Sequence, residues 1–430
     1  MNHQKLHPSL WSDTATPRIP VNQLNSHISA DVVIIGAGIT GSRAALELAK
    51  QGLNVVVLES QEPGWGASGR TGGQVNPLAH DTPEKICSYL GEKAGMGVVN
   101  AYVNSADEVF SLVKKYDINC DAEQNGWLRT AHCNRSVKKL ELMATAWRKV
   151  GLDISYVQGN ELHRLMGTKT YNTATLTPKG GSVQPLSYTR GLCSAAISLG
   201  ARVFGHSSVD RIERRDSRWK VTTKSGSVDT KWVVFCTNGY TDSVLKGLNK
   251  TIVPLVSLQS ATAPLPEEIY NEILPSGYTY ADTRRVIFYG RKVKDKRIVF
   301  GTLGVSSDCK KTSDVKRLYN GLAETFPQLK GIELTHKWGG QIAHTPDVLP
   351  HLHEPQPGIL AGLGYNGRGV AMGTVMGRIM AERILGKSAE DLEIPVTNYS
   401  NAFLRHFSDT AVKLAVPTFE IMDALERRFT

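Results

Sequence analysis

Three glycines and one glutamate carry the clearest chemical information in this chain. Gly36, Gly38 and Gly41 have the spacing GxGxxG, and Glu59 follows the next apolar run. In this arrangement the first glycine permits a tight turn, the second lets a pyrophosphate approach the backbone, and the third lets a helix pack closely on a strand. The glutamate can accept hydrogen bonds from a ribose. These residue types therefore indicate that the chain binds a dinucleotide.

The elements around these residues occur in the order that would position them for this purpose. An apolar run, Val32 to Ile35, precedes the glycines, and a helical pattern that ends at Gly52 follows them. A second apolar run, Val55 to Leu58, leads into Glu59. This strand–turn–helix–strand unit would direct the N–H groups of the helix N-terminus at the phosphates. It predicts a Rossmann-like domain, but FAD and NAD share it, so the unit alone does not identify the dinucleotide.

Two further glycine-rich segments indicate contacts with a large, flat ligand. Residues 64–77, GWGASGRTGGQVNP, interrupt the βαβ pattern that an NAD domain would continue, so we expect extended backbone against the ligand. Residues 362–369, GLGYNGRG, contain another GxGxxG, and a helix is predicted from Val370 to Ile384. No strand ending in an acidic residue follows, so we interpret this segment as part of the same site and not as a second fingerprint.

A series of motifs extends over almost the whole chain: GAGITG (36–41), ExxxPGWGASGRTGGQ (59–74), GGSVQP (180–185), WVVFCTNGYT (232–241), RVIFYGR (285–291), RIVFGT (297–302), WGGQIAHTPDVLP (338–350) and GYNGRGVAMG (364–373). Together they resemble the FAD-dependent oxidoreductases of the D-amino-acid oxidase type, and in particular the γ-glutamylputrescine oxidoreductase-like branch. The resemblance implies an α/β fold. A discontinuous Rossmann-like FAD-binding domain would accompany an α+β substrate domain built on an antiparallel sheet.

The cofactor implied by the resemblance is FAD. The residues expected to bind it are Gly36, Gly38, Ile39, Thr40, Gly41, Glu59, Ser60, Gly66, Ala67, Ser68, Gly69, Arg70, Gly73, Gln74, Val209, Thr237, Asn238, Gly239, Gly364, Asn366, Gly367 and Gly369. Some relatives attach FAD covalently, through a His after the second glycine segment or a Cys late in the chain. Residues 71–77 contain no His and residues after 310 contain no Cys, so we expect noncovalent FAD; His80 lies a few residues downstream.

The implied reaction is oxidation of a C–N bond. A hydride passes to FAD from the carbon next to nitrogen, and the resulting imine is hydrolysed; no metal is required. The amine must be neutral when it reacts, so a base or a desolvated pocket must lower its proton affinity. The expected substrate is a γ-glutamylputrescine-like or otherwise N-substituted amine, with oxygen or a quinone or dye as electron acceptor. The candidate catalytic residues are Tyr289, Arg291, His344, Tyr365 and Arg368.

One position departs from the glycine-oxidase-like relatives. In those proteins an Arg on the strand after the late Trp holds the α-carboxylate, and the matching position here is Ile342. Since Ile cannot pair with a carboxylate, we expect glycine, sarcosine and D-alanine to be poor substrates. Arg291 or Arg368 would instead hold a carboxylate remote from the reacting carbon.

Other functions stay open at this point. The chain could oxidise a small secondary amino acid (sarcosine, glycine or pipecolate type), act on a modified tRNA base, or bind flavin without turnover. The net charge of +10 fits an anionic substrate or partner as well as simple solubility. No run of five or more basic residues occurs, which argues against a nucleic-acid partner.

The length suggests two or three domains. We expect an N-terminal arm (1–28), an FAD-binding domain (29–80, 184–245 and 338–385), a substrate domain (81–183 and 246–337) and a C-terminal tail (386–430). Helices are predicted at 83–115, 134–149, 185–200 and 312–325, and strands at 127–130, 201–204, 208–212, 232–239, 255–263, 284–291 and 297–302.

The remaining composition favours a cytoplasmic location. No apolar run is long enough to predict a transmembrane helix, and the polar, proline-containing N-terminus is unlike a signal peptide. The six cysteines show no CxxC spacing and are expected to be reduced thiols. The oligomeric state is left open.

Overall fold

The structure, a computed structural model, describes residues 6–399 and 408–428; the remaining parts of the predicted arm and tail lie outside the described residues. The helices are α1 Leu10–Thr14, α2 Ile39–Lys50, α3 Pro83–Leu90, α4 Glu92–Lys115, α5 Asn134–Lys149, α6 Gly159–Met166, α7 Pro185–Ser198, α8 Glu267–Glu272, α9 Thr312–Thr325, α10 Gly369–Ile384 and α11 Ser408–Arg428. The strands are β1 His27–Ser29, β2 Val32–Ile35, β3 Val55–Leu58, β4 Gln74–Val75, β5 Trp127–Thr130, β6 Ser155–Gln158, β7 Thr173–Thr177, β8 Gly181–Ser182, β9 Arg202–Phe204, β10 Val209–Arg215, β11 Arg218–Thr223, β12 Ser227–Thr230, β13 Trp232–Phe235, β14 Val253–Thr262, β15 Thr279–Asp282, β16 Tyr289–Val293, β17 Arg297–Gly304, β18 Leu334–His344, β19 His351–Gln356, β20 Ile359–Leu363 and β21 Val396–Thr397.

A seven-stranded sheet positions the glycine-rich segments. Its order is β21-β19-β20-β13-β2-β3-β9, and the strands from β20 to β9 are parallel. Continuous apolar runs such as Val32–Ile35 and Val55–Leu58 form these strands because both faces of a parallel sheet are covered, and both runs are fully buried. The carboxyl ends of β2, β3, β13 and β20 meet at one edge, where an open α/β sheet binds its ligand.

An eight-stranded sheet forms the second layer, in the order β18-β14-β17-β16-β15-β5-β7-β6. Its neighbours are antiparallel apart from β15 and β5. The two sheets therefore confirm the expected α/β fold, with a Rossmann-like part and a part built on a largely antiparallel sheet. A smaller four-stranded sheet, β1-β12-β11-β10, completes the Rossmann-like part.

Most predicted elements are observed, and three differ. The strand predicted at 232–239 ends at Phe235, and Asn238–Tyr240 form a short 3-10 turn. The helix predicted at 83–115 is two helices, because Gly91 lies between them with φ +78°, which ends α3. The strand predicted at 284–291 begins only at Tyr289. The preceding residues form a loop whose N–H groups at Arg284 and Phe288 donate to a carboxylate oxygen of Asp282, at 3.1 and 3.0 Å.

Two predicted domain boundaries do not coincide with the sheets. β18 begins at Leu334 and pairs with β14, so residues 338–344 belong to the eight-stranded sheet. Val396–Thr397 pair with β19 in the seven-stranded sheet, and α11 follows, so the segment after 386 is not simply a tail. The division into domains otherwise stays a prediction. Among the described residues, no helix combines the length and apolar character needed to cross a membrane.

Candidate active site

One cavity of about 460 Å³ extends from the carboxyl ends of the parallel strands to the face of the eight-stranded sheet. Twenty of the residues expected from the sequence line it: Gly36, Gly38, Ile39, Thr40, Glu59, Ser60, Gly66, Ala67, Ser68, Gln74, Val209, Thr237, Asn238, Tyr289, His344, Tyr365, Asn366, Gly367, Arg368 and Gly369. Seven expected residues are not part of its wall: Gly41, Gly69, Arg70, Gly73, Gly239, Arg291 and Gly364. The cavity thus brings together residues of all three glycine-rich segments and four of the five candidate catalytic residues.

The turn between β2 and α2 has the geometry of a phosphate cradle. Gly36 has φ +103°, and a Cβ built at Gly38 would lie 2.7 Å from Oγ of Ser68. A Cβ at Gly41 would lie 1.9 Å from the carbonyl oxygen of Gly36, so this glycine serves helix packing and does not reach the cavity. Ile39 and Thr40, in the first turn of α2, line the wall at this point, and the N–H of Ile39 donates to Oγ of Ser68.

Glu59 stands at the end of β3, beside this cradle. Its buried carboxylate accepts hydrogen bonds from the N–H groups of Ala37 and Gln61, at 2.8 and 3.0 Å. Burial raises the pKa of Glu59, and these backbone hydrogen bonds act in the opposite direction. Oε1 also accepts from the hydroxyl of Ser60, whereas among the described residues Oε2 accepts only from Ala37, so Oε2 has a further lone pair for a ribose hydroxyl. Ser60 and Val209 line the wall next to it.

The second glycine-rich segment forms the adjoining wall with Gly66, Ala67 and Ser68. Arg70 does not contact the cavity. Its Nε donates to the carbonyl of Trp65 at 2.9 Å, and its guanidinium lies 4.3 Å from the centre of the Trp65 ring, so it braces the loop. Gln74 reaches the eight-stranded sheet, where its amide donates to the carbonyls of Tyr280 and Gly290.

The third glycine-rich segment closes the opposite side. The side chain of Asn238 accepts from the N–H of Gly364 at 3.0 Å, which joins the ends of β13 and β20. The hydroxyl of Tyr365 lies 2.9 Å from Oγ1 of Thr40, so α2 is tied to the loop before α10. Gly369 then begins α10 at the wall of the cavity.

Two histidines, His80 and His344, lie near Arg368 in the cavity wall, and we call this part of the cavity its inner end. Nε2 of His80 donates to the carbonyl of Asn366 at 2.7 Å, and its ring centre lies 6.4 Å from that of His344. Burial holds the pKa of His80 well below its usual value, and the positive charge of Arg368 acts in the same direction. Burial also lowers the pKa of His344. Both rings are therefore neutral near pH 7, and His344 can accept a proton.

Arg291, Arg368 and Arg129 occupy different places relative to these histidines. Arg291 lines a second cavity beside Trp11, its guanidinium 5.0 Å from the Trp11 ring centre, so it cannot contact a ligand in the main cavity. Arg368 does line the main cavity. Arg129, which was not among the predicted residues, lies next to Arg368. No sequence motif marks it, since only the pairing of β5 with β15 brings it to the cavity.

The face of the eight-stranded sheet supplies an apolar patch and one polar cluster. Leu255 and Ile342 are paired across β14 and β18, and both line the cavity together with Leu303. The hydroxyl of Tyr289 lies 2.6 Å from Oγ of Ser257 and also contacts Gln259, and burial raises the pKa of Tyr289. Ser257 and Gln259 are further wall residues that the sequence did not indicate.

The arrangement fits FAD. Gly36, Gly38 and the first turn of α2 would hold the pyrophosphate, Glu59 the ribose, and the walls at 66–68, 74 and 365–369 would enclose the flat ring. When bound, FAD accepts a hydride from the carbon next to an amine nitrogen. An amine bound in this cavity would have the proton affinity of its nitrogen lowered by desolvation.

Comparisons with known proteins agree with this geometry. A family model described as "FAD dependent oxidoreductase" (DAO) matches residues 31–383. The probable oxidoreductase OrdL of Haemophilus influenzae is 30% identical over 405 residues, which cover 92% of each chain. The γ-glutamylputrescine oxidoreductase of Escherichia coli is 31% identical over 382 residues, which cover 88% of this chain and 89% of the relative.

Among solved structures, glycine oxidase from Geobacillus kaustophilus superposes with a TM-score of 0.73 at 20% identity, over 86% of this chain and 99% of that one. This likeness supports the fold. The match of the family model over most of the chain, and the two relatives covered almost end to end, establish the family. The chain belongs to the DAO family of FAD-dependent oxidoreductases.

Proposed function

We propose that this enzyme oxidises the C–N bond of a γ-glutamylputrescine-like amine, one whose carboxylate is remote from the reacting carbon. The observation that carries the proposal is Ile342 in the cavity wall, with Leu255 opposite it. At the position of Ile342 a small amino acid would need a cation for its α-carboxylate, but the cavity wall there is aliphatic. That surface suits the methylene chain of a longer amine.

Two further observations support the proposal. Arg368 lines the cavity at a different place from Ile342, so a carboxylate can be held away from the apolar patch. The relative from Escherichia coli, 31% identical, is named for γ-glutamylputrescine.

The experiment is anaerobic reduction of the bound flavin, followed by absorbance, with γ-glutamylputrescine, sarcosine, glycine and D-alanine. We expect the longer amine to bleach the flavin with the highest second-order rate constant. Rapid bleaching by sarcosine or D-alanine, with none by the longer amine, would favour oxidation of a small amino acid instead.

A further inference from the structure

A second cavity, of about 480 Å³, adjoins the loop at residues 71–74, which we call the flavin loop. Three residues of this loop line the main cavity. Trp11 and Arg291 line the second cavity and reach the same loop. Nε1 of Trp11 donates to the carbonyl of Thr71, and a Cβ built at Gly73 would lie 3.3 Å from Nη2 of Arg291. The flavin loop therefore lies between the two cavities.

The guanidinium of Arg291 is buried without the partners that a buried cation normally has. The residue is 3% exposed, and its Nε has no hydrogen-bond partner. Its Nη atoms form no hydrogen bond or ion pair among the described residues, and its Cζ lies 5.0 Å from the centre of the Trp11 ring. Burial lowers the pKa of Arg291 to about 10, so it is charged at pH 7. Because such a cation is unfavourable, an anion in the cavity would stabilise it.

Two acidic side chains of this cavity are already paired with basic ones. Asp121 binds Nζ of Lys294 at 2.6 Å, and Asp295 binds Nε of Arg297 at 2.6 Å. Neither carboxylate is therefore left to neutralise Arg291.

Three charged side chains of the wall remain: Arg291, Lys292 and Glu123. Nζ of Lys292 lies 3.9 Å from the centre of the Tyr270 ring, and this residue forms no ion pair among the described residues. The carboxylate of Glu123 accepts from the amide of Asn125 at 3.2 Å, and its charge acts on both cations without a direct ion pair to either. The wall thus carries one net positive charge, which a monoanion would neutralise.

The uncharged part of the wall suits a short aliphatic carboxylate. Leu10, Pro275 and Val293 contribute apolar surface, and Ser182 contributes a hydroxyl that can donate to a carboxylate oxygen. The two Nη groups of Arg291 can donate parallel hydrogen bonds to a carboxylate, which is the strongest pairing that a guanidinium forms. A small monocarboxylate therefore matches both the charge and the surface of the cavity.

Ser182 also connects this cavity to the flavin loop. It pairs with Gln74 across the two-stranded sheet of β4 and β8, and Gln74 lines the main cavity. A ligand that contacts Arg291 and Ser182 would restrain the loop from the side opposite the flavin. Because such a ligand binds the ordered loop, it stabilises the loop's closed arrangement.

We propose that the second cavity is an effector site for a small aliphatic monocarboxylate held by Arg291, and that its occupation slows the release of FAD. The site is separate from the cavity in which the amine would react. The inference therefore does not depend on which amine is oxidised.

Titration calorimetry of the holoenzyme with butyrate tests the site, and butyramide is the neutral control. We expect butyrate to bind with a stoichiometry of one per chain and butyramide not to bind. Arg291→Met should abolish binding. Arg291→Lys keeps the charge and loses a charged hydrogen bond, so it should weaken binding about 10-fold. Arg164→Met, on the exposed surface of α6, should leave the affinity unchanged. Wild-type affinity in either Arg291 variant would overturn the proposal.

A variant of the main cavity shows which cavity holds the ligand. Arg368 lines the main cavity, so Arg368→Met should still bind butyrate. Binding that is lost in Arg368→Met and kept in Arg291→Met would place butyrate in the main cavity and contradict the proposal.

The rate of FAD release after dilution, followed by flavin fluorescence, tests the connection to the flavin loop. Saturating butyrate should slow release about 5-fold or more in the wild type and should have no effect in Arg291→Met. Butyramide at the same concentration should not change the rate. A release rate that butyrate leaves unchanged in the wild type would show that the site does not act on the flavin loop.

Discussion

The hydroxyl oxygen of Ser68 accepts a hydrogen bond from the N–H of Ile39 at 3.0 Å, although the two residues lie in different glycine-rich segments. The contact places the second segment directly over the first turn of α2. It also fixes the distance between the phosphate cradle and the wall that would enclose the flavin ring. Side-chain volume at this junction should therefore decide whether the cofactor is retained.

Gly38→Val should abolish retention of FAD, because its side chain would enter the space between the cradle and Ser68, where even a Cβ would lie 2.7 Å from Oγ. Glu59→Gln should weaken retention less, since it leaves the cradle intact and keeps one acceptor for the N–H of Ala37 or Gln61. The flavin-to-protein absorbance ratio after gel filtration measures both. If Glu59→Gln lost more flavin than Gly38→Val, the assigned roles would be wrong.

The FAD should be noncovalent. Cys309, the last cysteine in the sequence, is buried outside the cavity wall, and Nε2 of His80 is engaged with the carbonyl of Asn366. Acid precipitation of the protein followed by centrifugation should leave the yellow colour in the supernatant. Colour that stays in the pellet after washing would contradict this prediction.

Trp11 should stabilise both the fold and the flavin loop. It is buried against Trp338, with ring centres 5.8 Å apart, and its Nε1 donates to the carbonyl of Thr71 at 2.8 Å. Trp11→Ala should lower the free energy of unfolding by about 3–5 kcal/mol and speed flavin release. Trp11→Phe keeps most of the packing and loses the hydrogen bond, so about 1 kcal/mol is expected. Urea unfolding and flavin fluorescence measure the two effects; equal losses in both variants would argue against a role for packing.

Ile342→Arg should convert the apolar patch into a site for an α-carboxylate. We expect the second-order rate constant for sarcosine to rise about 10-fold or more, because a charge-assisted pair contributes about 1.5–3 kcal/mol. Ile342→Leu is the matched control and should leave sarcosine poor. A variant that retains FAD and shows no gain would indicate that reacting amines do not approach this wall.

Local sequence patterns predicted the parts of the site that depend on short-range geometry. The GxGxxG turn, the buried strands beside it and the helix at 312–325 each follow from the spacing of apolar residues and glycines within one segment. The same reasoning failed at 284–291, where Asp282 closes a loop. It also failed at Arg291, because its position on a strand did not reveal that it lines the second cavity and not the main one.

The sequence by itself thus determined the phosphate cradle, because the cradle depends on backbone conformation within a few residues, and the motifs spread along the chain indicated the family and FAD by their resemblance to known proteins. Only the tertiary structure decided which side chains share the cavity. Arg129 and Arg368 are 239 positions apart in the chain, and they meet because β5 joins the eight-stranded sheet through β15 while α10 starts at the edge of the other sheet. Strand pairing between distant segments sets such contacts, and no local pattern of residues records it.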